Sequence, residues 1–276
     1  MMKMRYIMDD AANVIIVAAV LLLGLLVAVT AIINATYIPE WKSVAEAEQM
    51  EEVCEDFKDL KMGIDIVASA FPDRVVASSH IIGMGGGGTL RTDPDLPSVY
   101  IATDDYTQTM AFEHLGSISF ESDNHHELDR TYIYENGAVI VEEINRSMIR
   151  LAPTIDFTRF NNGTKAVTMR IINMSLDEEV ITGDKIANLE LVFISEDLVF
   201  SDNVLNMSFT ITSRHSDAWE EFLIERATCA GFNESEFDIT ASQNVELDIY
   251  GDVLLNVVEV DGDARIRPVI EAIEPT

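Results

Sequence analysis

The stretch "ESDNHHELD" gathers Glu121, Asp123, His125, His126, Glu127 and Asp129. Carboxylates beside imidazoles are ligands for a divalent ion. Adjacent histidines on a strand point to opposite faces, however, and neither an HExxH helix nor a calcium-loop spacing is present. An exposed polar turn is therefore expected. "IIGMGGGGTL" has the glycines of a phosphate loop, but no lysine follows them, and the proline-broken "RTDPDLPS" is a poor helix start. It reads as a connector. "VDGDARI" begins like a calcium loop and lacks the later ligands and the closing glutamate. No Gly-x-Ser-x-Gly, no Ser-x-x-Lys and no nucleophile with a partnered base occurs. These residues offer no catalytic, cofactor-binding or metal-binding site, and a non-enzymatic role without cofactor or identified small-molecule substrate is expected.

Two further groups bear on modification. The cysteines Cys54 and Cys229 show no metal-type spacing. Outside a cell they could form one disulfide, and the alternative is two buried free thiols. Asn-x-Ser/Thr triplets occur at Asn34, Asn145, Asn162, Asn173, Asn206 and Asn233, against roughly two expected by chance. Asn34 adjoins the apolar segment too closely to be a good acceptor. The other five read as glycosylation sites on an exported domain.

The elements that would carry these groups differ sharply along the chain. From Ala11 to Ala35 no residue is charged, and about 20 apolar residues in a helix cross the hydrocarbon core. The run is too long for a secretory signal and has no clear Ala-x-Ala exit. Ala11, Val14, Leu21, Leu25 and Thr30 lie along this anchor or assembly helix. Lys3 and Arg5 precede it, partly offset by Asp9 and Asp10. The positive-inside tendency puts the N-terminus in the cytoplasm and everything after Tyr37 outside.

Pro39 is expected to bend or break the helix. Helical patterning then resumes, with Val53, Phe57, Leu60, Ile64 and Val67 spaced four, three, four and three. That is one apolar stripe on an acidic stalk helix, able to dock on its own domain or on neighbouring subunits.

After Ala70 the period becomes two, in short segments such as "SVYIA", "GSISFE", "TYIYENGAVIVEE", "AVTMRIINMS", "NLELVFIS" and "MSFTITS". Asn136-Gly137 and Asp261-Gly262 both suit two-residue hairpin turns. "HSDAWEEFLIERATCAGF" predicts one helix, with Ser216 as cap, Gly231 past its end, and Trp219, Phe222, Leu223 and Ala227 buried. The expected fold is α+β. A leader (1–10), a transmembrane or assembly helix (11–36) and an amphipathic stalk helix (37–70) precede a mainly antiparallel β-sandwich with one short helix (71–276). The 276-residue chain has a formal net charge of −30, which repels nucleic acid and anionic headgroups.

With its span, then "YIPEWKSVAEAEQMEEVCEDFKDLK", "GSISFESDNHHELDRTYIYENGAVIVEE" and "ITSRHSDAWEEFL", the chain resembles archaeal type IV pilin-like surface proteins over nearly its whole length. The resemblance implies a basic leader removed by a prepilin-type peptidase. It also implies sister subunits that pack through the N-terminal helix, and a β domain displayed outside the cell membrane. Lys or Arg followed by Gly or Ala is the expected cut; here the sequence is "IMDDAAN". Two arrangements therefore stay open: a filament subunit, or a single-pass anchored surface glycoprotein that is neither processed nor assembled.

Overall fold

In the computed structural model the described residues are 3–70, 76–84, 87–104, 107–124, 128–144, 146–183 and 186–269, with side chains from Val17 except those of Ser69, Ala70 and Val76. Met1–Glu48 makes one compact unit; Gln49–Asn124 with Leu128–Thr276 makes the other. Helix α1 (Lys3–Ile32), a π-helical turn (Ile33–Tyr37) and helix α2 (Ile38–Ala70) follow one another along the chain. Pro39, expected at a bend or break, sits in the first turn of α2 and does not break the helix. The Ile38 N–H reaches back to the Ile33 carbonyl, one residue further than in an α-helix. Such a widened turn makes room for the carbonyl that the proline ring would otherwise strike, and helical structure continues through it.

The second unit holds two sheets. Its strands, in chain order, are β1 (Val76–Gly83), β2 (Gly88–Asp93), β3 (Ser98–Thr103), β4 (Gln108–Phe112), β5 (Ser117–Ser122), β6 (Arg130–Glu135), β7 (Ala138–Glu143), β8 (Arg146–Leu151), β9 (Ile155–Arg159), β10 (Lys165–Ser175), β11 (Val180–Thr182), β12 (Ile186–Thr212), β13 (Phe237–Ala241) and β14 (Asn244–Pro268). Helix α3 (Ser216–Cys229) lies between β12 and β13. One sheet is ordered β4-β3-β12-β14-β10-β9, with β1 also on β12 and β13 also on β14; the other is ordered β11-β2-β5-β6-β7-β8. The pairing of β10 with β14 is parallel, within an otherwise antiparallel arrangement of the described strands. The fold is thus a long N-terminal helix followed by a mostly antiparallel β-rich domain with one short helix.

The Asn136-Gly137 hairpin forms as expected, with φ of 43° and 78°, which is what a two-residue primed turn demands. The Asn136 amide oxygen also accepts the Ile172 N–H at 3.0 Å, tying this turn to β10. The Asp261-Gly262 hairpin does not form. Both residues lie inside β14, with Asp261 opposite Ser195 and Gly262 opposite Phe193. Glycine serves close approach there rather than a turn, since a Cβ would come within 3.2 Å of the Phe193 ring.

The reason lies in how the long strands are buried. Val253, Leu255 and Val257 enter one core, with α3; Val260, Ala264 and Ile266 enter the other, with α2. The parity of the buried positions changes between Val257 and Val260, so β14 covers the two cores with opposite faces. β12 likewise serves both cores, through Leu189 and Leu191 at one end and Phe209 and Ile211 at the other. Three bulges interrupt its pairing with β14. "NLELVFIS" and "MSFTITS" are therefore two ends of one strand.

Helix α3 buries Trp219, Phe222, Leu223 and Ala227, and Gly231 follows its end at φ 80°. Ser216 is not its cap. His215 occupies that position without a side-chain cap bond, and the Ser213 hydroxyl accepts the His215 N–H at 3.0 Å.

The α2 stripe lies in its own domain's core. Val53, Phe57, Leu60 and Ile64 are fully buried, and Val67 packs at the margin of the same cluster. Their partners include Phe120 and Tyr132 of the six-stranded sheet and Leu189 and Ile266 of the eight-stranded one. Phe57 stacks at a tilt on Tyr132 with centroids 6.0 Å apart, and the Tyr132 hydroxyl donates to the Met50 carbonyl at 3.1 Å. Gly63 lets the His80 imidazole of β1 lie against the helix, where a Cβ would clash at 2.2 Å. Asp56 Oδ2 accepts the Gly83 N–H at 2.8 Å.

Phe57→Ala should destabilise the second unit by about 3–5 kcal/mol, the range for emptying a closed aromatic site. Urea unfolding of the full chain in detergent micelles checks this, and a loss below about 1 kcal/mol would contradict the enclosure. Asp56 gives a pH-dependent prediction. Burial raises its pKa from 3.8; the Gly83 bond opposes that, and the charges of Asp59 and Glu52 add to it. Ionisation is therefore harder in the folded chain, and stability falls as pH rises from 3.8 through the raised value. Asp56→Asn keeps the acceptor for Gly83 and removes the charge. It should match the wild type in acid and melt higher at neutral pH.

Candidate functional site

Two surfaces of the chain stand out. The first belongs to α1. From Val17 the apolar side chains are exposed on every side of the helix, among them Leu21, Leu22, Leu23, Leu25 and Leu26. Thr30 turns its hydroxyl back onto the Leu26 and Val27 carbonyls, at 3.0 and 2.9 Å, so its polar atom is satisfied within the helix. Ala11 and Val14 lie on α1 as expected, and their side chains fall outside the described residues. A helix this long and apolar is compatible with membrane anchoring.

The sequons separate into classes. Asn162 is exposed in the turn between β9 and β10, where its Oδ1 accepts the Thr164 N–H at 3.1 Å. Asn233 is exposed in the loop after α3, held by Glu236. That loop is anchored by Arg159, which donates to Glu236 at 2.7 and 3.1 Å and to the Gly231 carbonyl at 2.8 Å. Asn173 differs: it is half-buried within β10, and its Nδ2 donates to Asp261 at 2.9 Å and Glu259 at 3.4 Å. Asn206 sits at a bulge of β12 and accepts the Gly251 N–H. Asn145 lies outside the described residues.

The other sequence candidates are quickly placed. Cys54, half-buried on α2, and Cys229, exposed at the end of α3, are free thiols, so the possible disulfide is not formed. Their elements belong to different cores, which explains the separation. In "ESDNHHELD" the stretch His125–Glu127 lies outside the described residues. The flanks form a polar turn in which Asn124 donates to the Asp129 carboxylate and to the Leu128 carbonyl. No group of three metal ligands occurs among the described residues. The glycine run carries the chain from β1 in one sheet to β2 in the other, with Gly85 and Gly86 outside the described residues.

The second surface was not legible beforehand. On the six-stranded sheet, Ile118, Phe120, Tyr132 and Tyr134 face the α2 core. The alternate positions Ser117, Ser119, Thr131, Ile133 and Glu135 line an open groove of about 650 Å³. Its walls are Leu96 and Ile144, the Arg214–Asp93 ion pair at 2.7 Å, and His215, whose Nδ1 lies 3.8 Å from Glu142. Glu135 is at the base, 2% exposed, taking bonds from Ser213 and Trp219. In sequence these are simply the polar positions of alternating strands, and nothing distinguishes them from a solvated face.

A family match spans residues 13–264, from the apolar segment of α1 through both sheets. The chain belongs to DUF7289. This is described as a family of unknown function, and no curated protein or solved structure matches the chain. The DUF7289 region thus joins the exposed apolar helix and the two-core domain in one span.

In a host that N-glycosylates exported proteins, Asn162→Gln and Asn233→Gln should each remove one glycan from the intact mass. Asn173→Gln should remove none, because its amide is engaged within a strand. A glycan lost with Asn173→Gln alone would reverse this ranking.

Proposed function

We propose that this chain is a non-catalytic, pilin-like subunit of a cell-surface filament. The α1 helix is the assembly element, and the acidic, glycosylated β-rich domain faces outward. One observation carries the reading: from Val17 the apolar surface of α1 is exposed, while the α2 stripe packs into the core of its own domain. Lipid satisfies α1 before assembly and sister helices satisfy it afterwards. Packing between such helices rests on close van der Waals fit, since lipid tails are as apolar as leucine. The net charge of −30 keeps the displayed domains soluble and apart, without suiting them to nucleic acid. The N-terminus lies in the cytoplasm until a prepilin-type peptidase removes the leader.

A second reading is a single-pass anchored surface glycoprotein, and "IMDDAAN" favours it because the basic residue expected at the peptidase cut is absent. The mature N-terminus, measured by intact mass on protein from native cells, separates the two. A start between Met8 and Asn13, with protein recovered in sheared, detergent-free fibres, is the result expected for the filament. An intact Met1 or Met2, with release only by detergent, would overturn it in favour of the anchor.

A further inference from the structure

The groove on the six-stranded sheet has a base whose polar atoms are only partly satisfied. Ser213 Oγ and Trp219 Nε1 both donate to Oε1 of Glu135, at 2.6 and 2.5 Å. Oε2 accepts no hydrogen bond among the described residues. Directly across the sheet, Ser117 pairs with Glu135 in register and is 8% exposed. Its hydroxyl likewise makes no hydrogen bond among the described residues, although it lines the groove. Side chains opposite each other on antiparallel strands lie about 5 Å apart at Cβ, so one donor group can meet both.

Neither oxygen is fully enclosed, so both open to the groove, and two adjacent oxygens without a protein partner at the base of a groove point to a ligand that donates. Charge specifies its sign. Asp93, Glu121, Asp129, Glu135 and Glu142 line the groove against Arg91 and Arg214, and Arg214 is already paired with Asp93. A metal ion does not suit the site, since no group of three His, Cys, Asp or Glu ligands occurs among the described residues.

We propose that this groove binds a primary ammonium group, carried by a free amine or by a lysine side chain. Glu135 Oε2 is its counter-ion and Ser117 Oγ a second acceptor. An ammonium has three donors and no acceptor, which suits a carboxylate oxygen beside a hydroxyl oxygen. The indole N–H of Trp219 shares the same carboxylate, so its emission reports on occupancy.

The test is a fluorescence titration of the full chain in detergent micelles, in a Trp41→Phe background that leaves Trp219 as the remaining tryptophan. The probes are cadaverine for a free amine and Nα-acetyl-lysine-N-methylamide for a peptide lysine. At least one should give a saturable change in Trp219 emission, and the tighter of the two identifies the source. Glu135→Gln keeps an acceptor for Ser213 and Trp219 and removes the charge. It should weaken binding about tenfold or more, as expected for loss of a charged hydrogen bond. Ser117→Ala, a small change at a strand position, should weaken binding in the same direction. Glu220→Gln with Glu225→Gln, on the outer acidic face of α3, should change affinity by less than about twofold, as exposed charges do. No saturable response to either probe would overturn the proposal. So would equal losses in the groove and α3 variants, because that pattern is diffuse attraction to an acidic surface.

Discussion

Between Met50 and Ala68, one face of α2 is almost entirely withdrawn from water, and both sheets supply part of the cover. Each fully buried Phe, Leu, Ile or Val contributes about 1.5–3 kcal/mol relative to exposure. The helix is therefore a central member of the second unit rather than a stalk attached to it. Several local features follow from admitting a helix between two sheets. Gly63 gives the His80 ring its place, Asp56 holds the end of β1, and the Tyr132 hydroxyl reaches across to the Met50 carbonyl. The Asn136-Gly137 turn then fixes the six-stranded sheet to β10 through the Ile172 N–H.

Much of this was legible because simple periods held locally. The four-three spacing of Val53 to Val67 identified the buried face of α2, and the Asn-Gly pair identified a hairpin whose two positive φ values left few residue choices. The buried face of α3 followed from Trp219, Phe222, Leu223 and Ala227 in the same way. The errors cluster where one element serves two environments. β14 changes its buried parity between Val257 and Val260, and a local reading sees the interruption beside Asp261-Gly262 as a chain reversal. Pro39 does not break the helix for a related reason: the π turn Ile33–Tyr37 just before it absorbs the steric conflict that would otherwise end the helix.

The candidate sites differ in legibility along the same line. The α1 segment was visible because a long uncharged run needs no tertiary context to be unusual. The groove around Glu135 was invisible because it depends on which polar strand positions remain uncovered once α3 and the loop around His215 are placed. Among the sequons, local sequence could propose Asn173 and Asn233 equally. Only the strand pairing shows that the first is engaged with Asp261 and Glu259 while the second is on a loop clasped from below by Arg159 and Glu236.

The enclosure of α2 also has a mechanical side. A helix whose side chains are seated between two sheets along its length resists being drawn out along its axis, because every seated side chain must leave its hole in the same displacement. Strands at a sheet margin, by contrast, unzip one hydrogen-bonded pair at a time. Tension entering the second unit along the backbone at Gln49 therefore loads its core in shear, the direction in which close-packed interiors yield last. Under such tension α2 carries the load, and the β strands of the second unit are spared peeling.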